Sequence, residues 1–248
     1  MKNLKFFCSF NGADFHGFQR QPNVPTIQGE IEAALHKVLG VETAAIKISG
    51  CSRTDAGVHA RRFCFNAHIN NAIPCENLVR ALNDRLPRAI VILSCEEADT
   101  GFNARFSAKS KEYIYLLNNK KQRDVFCSSY HYPHELNIEL LQEAAQLFIG
   151  EHDFAAFHKH CTMNNEQCTI REIYSFNVKE KDGFVEFAIR GNGFLYNMVR
   201  ILAGTLIYVN EGKRNADDIL EAFKTGEREK AGKTLPPHGL YLNEVFYA

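Results

Sequence analysis

The order of apolar and polar positions predicts strands and helices interleaved along the whole chain. Residues 3–10 alternate enough to form a strand that opens a sheet. A loop containing Gly, Asp and Pro follows from Asn11 to Pro25. Thr26 is placed to cap a helix with an apolar face of Ile27, Ile31, Ala34, Leu35 and Val38, and Gly40 is placed to end it. A second strand is expected over 44–50, a loop from Ser52 to Ala60, and a third strand from Phe63 to Ile69. A short helix near 75–84 and a strand near 89–95 complete the first half.

The second half continues the mixture without visible repetition. Tyr113 to Leu117 is a β-branched and aromatic run, hence a strand. Asn137 caps a helix carrying Ile138, Leu141, Ala144, Ala145 and Phe148, with Gly150 as its stop. Strands over 170–179 and 184–190 flank the turn signal Lys181-Asp182-Gly183. A longer helix is expected from Phe194 to Val209. Asn215 caps another, with Asp217 and Asp218 in the first turn, where the helix dipole favours acids. A strand over 241–247 closes the chain. This interleaving predicts an α/β or α+β fold with a large, mostly antiparallel sheet. The expected domain boundary lies near residue 105, giving an N-terminal part over 1–105 and a C-terminal part over 106–248.

Composition narrows the class. A length of 248 residues accommodates one large domain or two modest ones. No apolar run approaches a membrane span, and Met1 to Cys8 turns polar too soon for a secretory signal, so the cytoplasm is the expected location. The eight cysteines are scattered with no CxxC pair, and Cys8, Cys64 and Cys95 sit in apolar stretches. They read as free thiols in a reducing compartment. Twenty-nine basic residues balance 29 acidic ones. That balance argues against an indiscriminate nucleic-acid binder but leaves room for a local basic cleft.

The stretch Cys51-Ser52-Arg53-Thr54-Asp55-Ala56-Gly57-Val58-His59-Ala60 carries the most chemistry. It lies between two expected strands. Arg53 stands two residues before Asp55, and a guanidinium there keeps a carboxylate ionised and oriented. Local chemistry alone fits two readings. One is a catalytic loop. The other is a plain turn in which Asp55 binds backbone amides and Arg53 faces water.

Ser52 to Ala60 resembles the (G/S)RTDAGVHA signature of TruA-type tRNA pseudouridine synthases. Other segments resemble the same family in order along the chain. They are Gly17-Phe18-Gln19-Arg20-Gln21 with Thr26-Ile27-Gln28, Ala81-Leu82-Asn83 with Leu86-Pro87, and Phe102 to Ala108 with Lys111 to Tyr115. Asp153-Phe154, Thr169-Ile170-Arg171, Gly193-Phe194-Leu195 with Met198-Val199-Arg200, and Pro236 to Leu242 continue the series. Phe18 stands where the family often has Trp.

The resemblance implies a pseudouridine synthase fold of two subdomains around a large sheet, with a central RNA-binding cleft. It implies isomerisation of uridine to pseudouridine in tRNA, in the anticodon arm at about positions 38 to 40. In that reaction the base leaves through N1, turns, and rejoins C1′ through C5. No atom or electron is gained or lost, so no cofactor and no metal are implied. Asp55 matches the catalytic aspartate. Tyr113 matches an active-site tyrosine that stacks on the extruded base, Arg200 an arginine that pairs with the aspartate, and Leu240 an apolar wall. Arg53 is the candidate to help base flipping, which costs roughly a few kcal/mol. Arg20, Arg61, Arg62, Arg105, Lys109 and Lys111, with Lys120, Lys121 and Arg123, are candidates for a phosphate-facing rim. The implied partners are tRNA and a second copy of the chain in a homodimer, with no DNA and no membrane.

Two rival readings stand beside this one. The chain could be a non-catalytic RNA-binding or tRNA-folding protein on the same scaffold, or a synthase for a different RNA. A zinc-dependent hydrolase could use His152, His158, His160, Cys161 and Cys168, although their spacing fits no standard zinc motif. Packing, or facing the RNA, is the expected role of these five.

Overall fold

The computed structural model describes residues 1–40, 46–70, 72–159 and 168–247. Contacts divide the chain into two compact units, Met1–Lys109 with Leu242–Ala248, and Ser110–Tyr241.

The first unit contains β1 (Lys2–Phe10), α1 (Ile27–Leu39), β2 (Ile48–Gly50), β3 (His59–Ile69), α2 (Cys75–Asn83) and β4 (Ile90–Ala98). β1 runs antiparallel between β3 and β4, and β2 pairs with β3. Phe6 lies opposite Phe65 in this register, and their rings stack 4.8 Å apart. The helix expected after Thr26 forms with both its ends as read. The Thr26 hydroxyl accepts from the Gly29 amide at 3.3 Å, and Gly40 takes the left-handed conformation. Its Ile27, Ile31 and Leu35 are fully buried, which is the packing that holds a helix of this length. α2 buries only Leu78 and Leu82, and the Asn83 side chain pins its end to the Ile92 backbone at 2.7 and 2.9 Å.

The second unit contains β5 (Ser110–Asn118), β6 (Tyr130–His131), α3 (Ile138–Gln146), β7 (Gly150–Asp153), β8 (Ile170–Lys181) and β9 (Phe184–Gly191). It continues with α4 (Met198–Asn210) and α5 (Ala216–Thr225). β5 pairs antiparallel with β9, β9 with β8, and β8 with β7, while β6 runs parallel to β5. Asp182 and Gly183 both have positive φ, so the β8–β9 hairpin closes on the tight turn its sequence announces. α4 is apolar on nearly every side and buries ten of its thirteen residues, as a helix of that composition must. At α5, Asn215 and Asp218 form a reciprocal capping box.

The last strand, β10 (Leu240–Phe246), has its residues from Leu242 onward in the first unit. There Asn243 accepts from Arg61 at 3.3 Å, and Glu244 pairs with Arg62 at 3.3 Å.

The class is mixed α and β with mainly antiparallel pairing, as the pattern predicts. Several boundaries differ from the pattern. The helix expected from Phe194 begins at Met198, because Asn197 adopts a left-handed conformation (φ 62°) that a helix cannot propagate through. The loop expected to end at Ala60 ends at Val58, since His59 already belongs to β3. The helix after Asn137 stops at Gln146, ahead of Gly150, and Phe148 reaches the core from the turn that follows. The strand expected over 44–50 begins at Ile48, with 46 and 47 outside it, and residues 44 and 45 lie outside the described residues. Among the described residues no helix is long and apolar enough to cross a membrane.

Candidate active site

Asp55 lies in the first unit, in the turn between β2 and β3. The turn is fastened from below by the segment 12–18. The Phe18 amide donates to the Thr54 carbonyl at 3.1 Å, and the Gly57 amide to the Phe15 carbonyl at 3.2 Å. The Gly12 amide donates to Nδ1 of buried His59 at 3.0 Å. Val58 closes the turn by donating to the Asp55 carbonyl at 3.2 Å. Two glycines make this approach possible. A Cβ on Gly12 would stand 1.9 Å from the Val58 oxygen, and one on Gly17 would stand 2.6 Å from the Thr54 oxygen. Gly17 also has φ +88°, which L side chains resist. The Phe18 ring is buried and stacks on Phe63 at 4.4 Å, anchoring the same segment from its other side. The result is a carboxylate on a backbone-clamped turn, half-buried, with Arg53 exposed two residues earlier.

A buried polar network extends the clamp. The Gln28 side-chain oxygen accepts from the Gln19 amide group and from the Arg20 backbone, each at 3.0 Å. Gln28 donates in turn to Glu32 at 2.8 Å, and Arg20 pairs with Glu32 at 3.1 Å. Glu32 is buried, and Arg20 meets its charge from an exposed position. Arg61 and Arg62 are engaged with Asn243 and Glu244, and Arg62 also lies over the Phe7 ring at 4.3 Å. Three cations expected at a phosphate rim therefore have partners in the first unit, and all three remain exposed. Arg105, Lys109, Lys120, Lys121 and Arg123 are exposed, and Lys111 is half-buried.

Tyr113, Arg200 and Leu240 lie in the second unit. Tyr113 is buried on β5 and meets Phe194 edge to face at 5.1 Å. Arg200 sits in the first turn of α4, where Nε donates to the Leu235 carbonyl and Nη1 to the Asn197 side-chain oxygen, both at 2.7 Å. The left-handed Asn197 that delays the helix thus orients its first arginine. Leu240 is buried just after the short 3₁₀ turn Pro237–Gly239. That turn is held by the Tyr115 hydroxyl, which donates to the Pro236 carbonyl at 2.7 Å. Burial pushes the Tyr115 phenol well above the ordinary tyrosine range, so it stays a donor. Nearby His238 is shifted down, by burial first and then by Arg123 and Arg200, and therefore favours the neutral ring. It borders a cavity of about 500 Å³ shared with Arg123, Ser129 and Tyr130.

Among the described residues, His152, His158 and Cys168 do not converge. His152 stacks on Phe223 at 4.5 Å and meets the Ile149 carbonyl at 3.0 Å. His158 meets the Ala155 carbonyl at 2.9 Å, and Cys168 is exposed. His160 and Cys161 lie outside the described residues. Among the described residues no group of three or more His, Cys, Asp or Glu is arranged to hold a metal.

Gly17, Gln28 and His59 fall within sequence motifs that give no sign of their individual work. Their work is to hold the turn that carries Asp55. Gly12 carried no motif signal, because the approach of Val58 is visible only in three dimensions.

Comparison with known proteins bears on the whole chain. A family model described as tRNA pseudouridine synthase matches residues 8–107 and 144–248. A protein of Brevibacillus brevis named tRNA pseudouridine synthase A is 43% identical over 249 aligned residues, covering all of both chains. One of Bacillus pumilus with the same name is 44% identical over 98% of each. Among solved structures, the archaeal box H/ACA sRNP Nop10-Cbf5 complex includes a chain aligning at TM-score 0.37 and 14% identity. That alignment covers 83% of this chain and 43% of that one. Agreement at this level of identity over the full length, in a chain whose signature turn is built as described, has one meaning: this protein is a member of the tRNA pseudouridine synthase family.

Proposed function

We propose that this chain converts uridine to pseudouridine in the anticodon arm of tRNA, with Asp55 as the catalytic residue. The observation that carries the reading is the turn over 52–58, which spends two close glycine contacts and a buried histidine on presenting one half-buried carboxylate. A turn serving only to join two strands has no need of such support. The full-length likeness to proteins named tRNA pseudouridine synthase A supplies the reaction and the substrate class.

In this reading the target uridine is extruded from its stem, because C1′ and C5 are unreachable in the stack. The N1–C1′ bond breaks, the uracil turns, and a C5–C1′ bond forms. The proton lost from C5 balances the one gained at N1. Asp55 acts on the sugar or the base as nucleophile, or as a base that forms a glycal. Tyr113 supplies the aromatic surface against the uracil, Leu240 an apolar wall, and Arg200 a guanidinium for the aspartate. Arg53, exposed on the same turn, occupies the space the base leaves or holds its flanking phosphate. The protein works as a homodimer in the cytoplasm.

Mapping of pseudouridine in bulk tRNA after incubation with wild-type protein, and in parallel with Asp55→Asn, tests the reading. New pseudouridine in the anticodon arm with wild type alone supports it. Modification elsewhere, or in another RNA, moves the target. Tight tRNA binding without any modification favours the non-catalytic scaffold.

A further inference from the structure

The first unit holds a second chemically active feature, away from the Asp55 turn. Cys75 opens α2 and Cys95 lies on β4, and both are half-buried free thiols. α2 packs against β4, and the two side chains lie close enough to influence each other's charge. Two features of the fold bring them together. First, Asn83 ties the far end of α2 to Ile92. From there the helix runs back eight residues, about 12 Å, and the strand runs on three residues, about 10 Å, so both cysteines arrive at one level. Second, β4 carries a bulge. Ile92 pairs with Cys8 and Ser94 with Phe7, which leaves Leu93 as an extra residue. Strict alternation from Ile90 and Ile92 would turn Cys95 away from the core face. The bulge resets the phase and sets Cys95 opposite Phe6, whose side chain is buried.

We propose that Cys75 and Cys95 form a site of reversible oxidation, closing a disulfide between α2 and β4 in response to a low-molecular-weight disulfide. The exchange balances in two steps. A Cys75 thiolate attacks the small disulfide, releasing one small thiol and leaving a mixed disulfide on Cys75. The Cys95 thiol then loses its proton and displaces the second small thiol, so that two protein thiols are oxidised and one small disulfide is reduced. The order follows from the surroundings. Burial, and then the Cys75 neighbour, push the Cys95 thiol far above the ordinary range, so Cys95 is the resolving partner. Cys75 stands at the N-terminal end of α2 and in this order is the attacking thiol. A surface cavity of about 280 Å³, lined by Glu76, Arg80, Leu93 and Cys95, reaches Cys95, and Cys75 beside it is only half-buried. In contrast, Cys8, Cys51 and Cys64 are fully buried. In a reducing compartment such a bond is transient and reports oxidation.

The test treats the native, full-length protein with glutathione disulfide, blocks remaining thiols, and maps tryptic peptides by mass spectrometry. The expected product joins Phe63–Arg80 to Ala89–Arg105 through Cys75 and Cys95. It should revert with dithiothreitol and be absent from both Cys75→Ser and Cys95→Ser. The oxidised wild type should also melt a few degrees higher than the reduced protein, a rise that neither variant shows. Glutathione held separately on the two cysteines, a dominant link from Cys75 to Cys64, or both thiols remaining free would each overturn the proposal.

Discussion

The two units hold their candidate site residues by different means. In the first unit, Asp55 rides on a turn fixed by backbone contacts, with Phe18, Gly57 and Gly12 amides as donors and no room for a Cβ at Gly17. In the second, Tyr113, Arg200 and Leu240 are set by side chains: an aromatic edge, two guanidinium hydrogen bonds, and a tyrosine hydroxyl on a neighbouring turn. A backbone clamp fixes a short side chain closely, because few torsions separate it from the clamp. Side-chain contacts fix longer groups and tolerate conservative exchange. The proposed reactive carboxylate thus stands on the first kind of support and the proposed substrate contacts on the second.

Breaking the comparison starts with the carboxylate. Asp55→Asn keeps shape and support, so turnover should fall roughly a thousandfold or more while tRNA affinity stays within about twofold. Single-turnover assays beside filter binding check this, and residual activity near wild type would remove Asp55 from the mechanism. Next comes the clamp. Gly17→Ala meets the Thr54 oxygen in a positive-φ position and should cost about 3 kcal/mol, with activity falling alongside. Gly40→Ala has positive φ but nothing within 4 Å, and should cost only about 1 kcal/mol. Equal losses in denaturant unfolding would show that φ, and not the close approach, sets the requirement.

Arg53→Ala should slow modification about thirtyfold on a structured anticodon arm and only a few-fold on RNA already unpaired at the target. Equal losses on the two substrates would argue against a flipping role. In the second unit, Tyr115→Phe removes one buried hydrogen bond and should cost about 1 kcal/mol, with a modest rise in KM if the turn before Leu240 loosens. An unchanged KM would separate that turn from substrate binding. The smallest effect concerns pH. His238 has a folded pKa below its unfolded value near 6.5, so the unfolded chain takes up the proton first. Its contribution is complete above that value and is lost as pH falls through the folded pKa. His238→Gln should therefore flatten the acid side of the stability profile slightly. An unaltered slope below about pH 6.5 would assign the acid sensitivity to other groups.

Local signals in the sequence determined much of this protein. Thr26, Gly40, Asn215 and the Asp182-Gly183 turn fall where they were read, because capping and turn chemistry involve residues at most a few positions apart. The order of the motifs also named the family and the loop that bears Asp55. What tertiary structure alone decided depends on distant partners. Leu242 to Phe246 join the first unit through Arg61 and Arg62. Gly12 makes room for Val58, exposed Arg20 pairs with a buried Glu32, and a bulge at Leu93 sets Cys95 opposite Phe6. None of these leaves a mark in the periodicity of its own segment. Each arises from close packing of chains far apart in sequence, where a single atom's room or a single residue's phase decides what can meet.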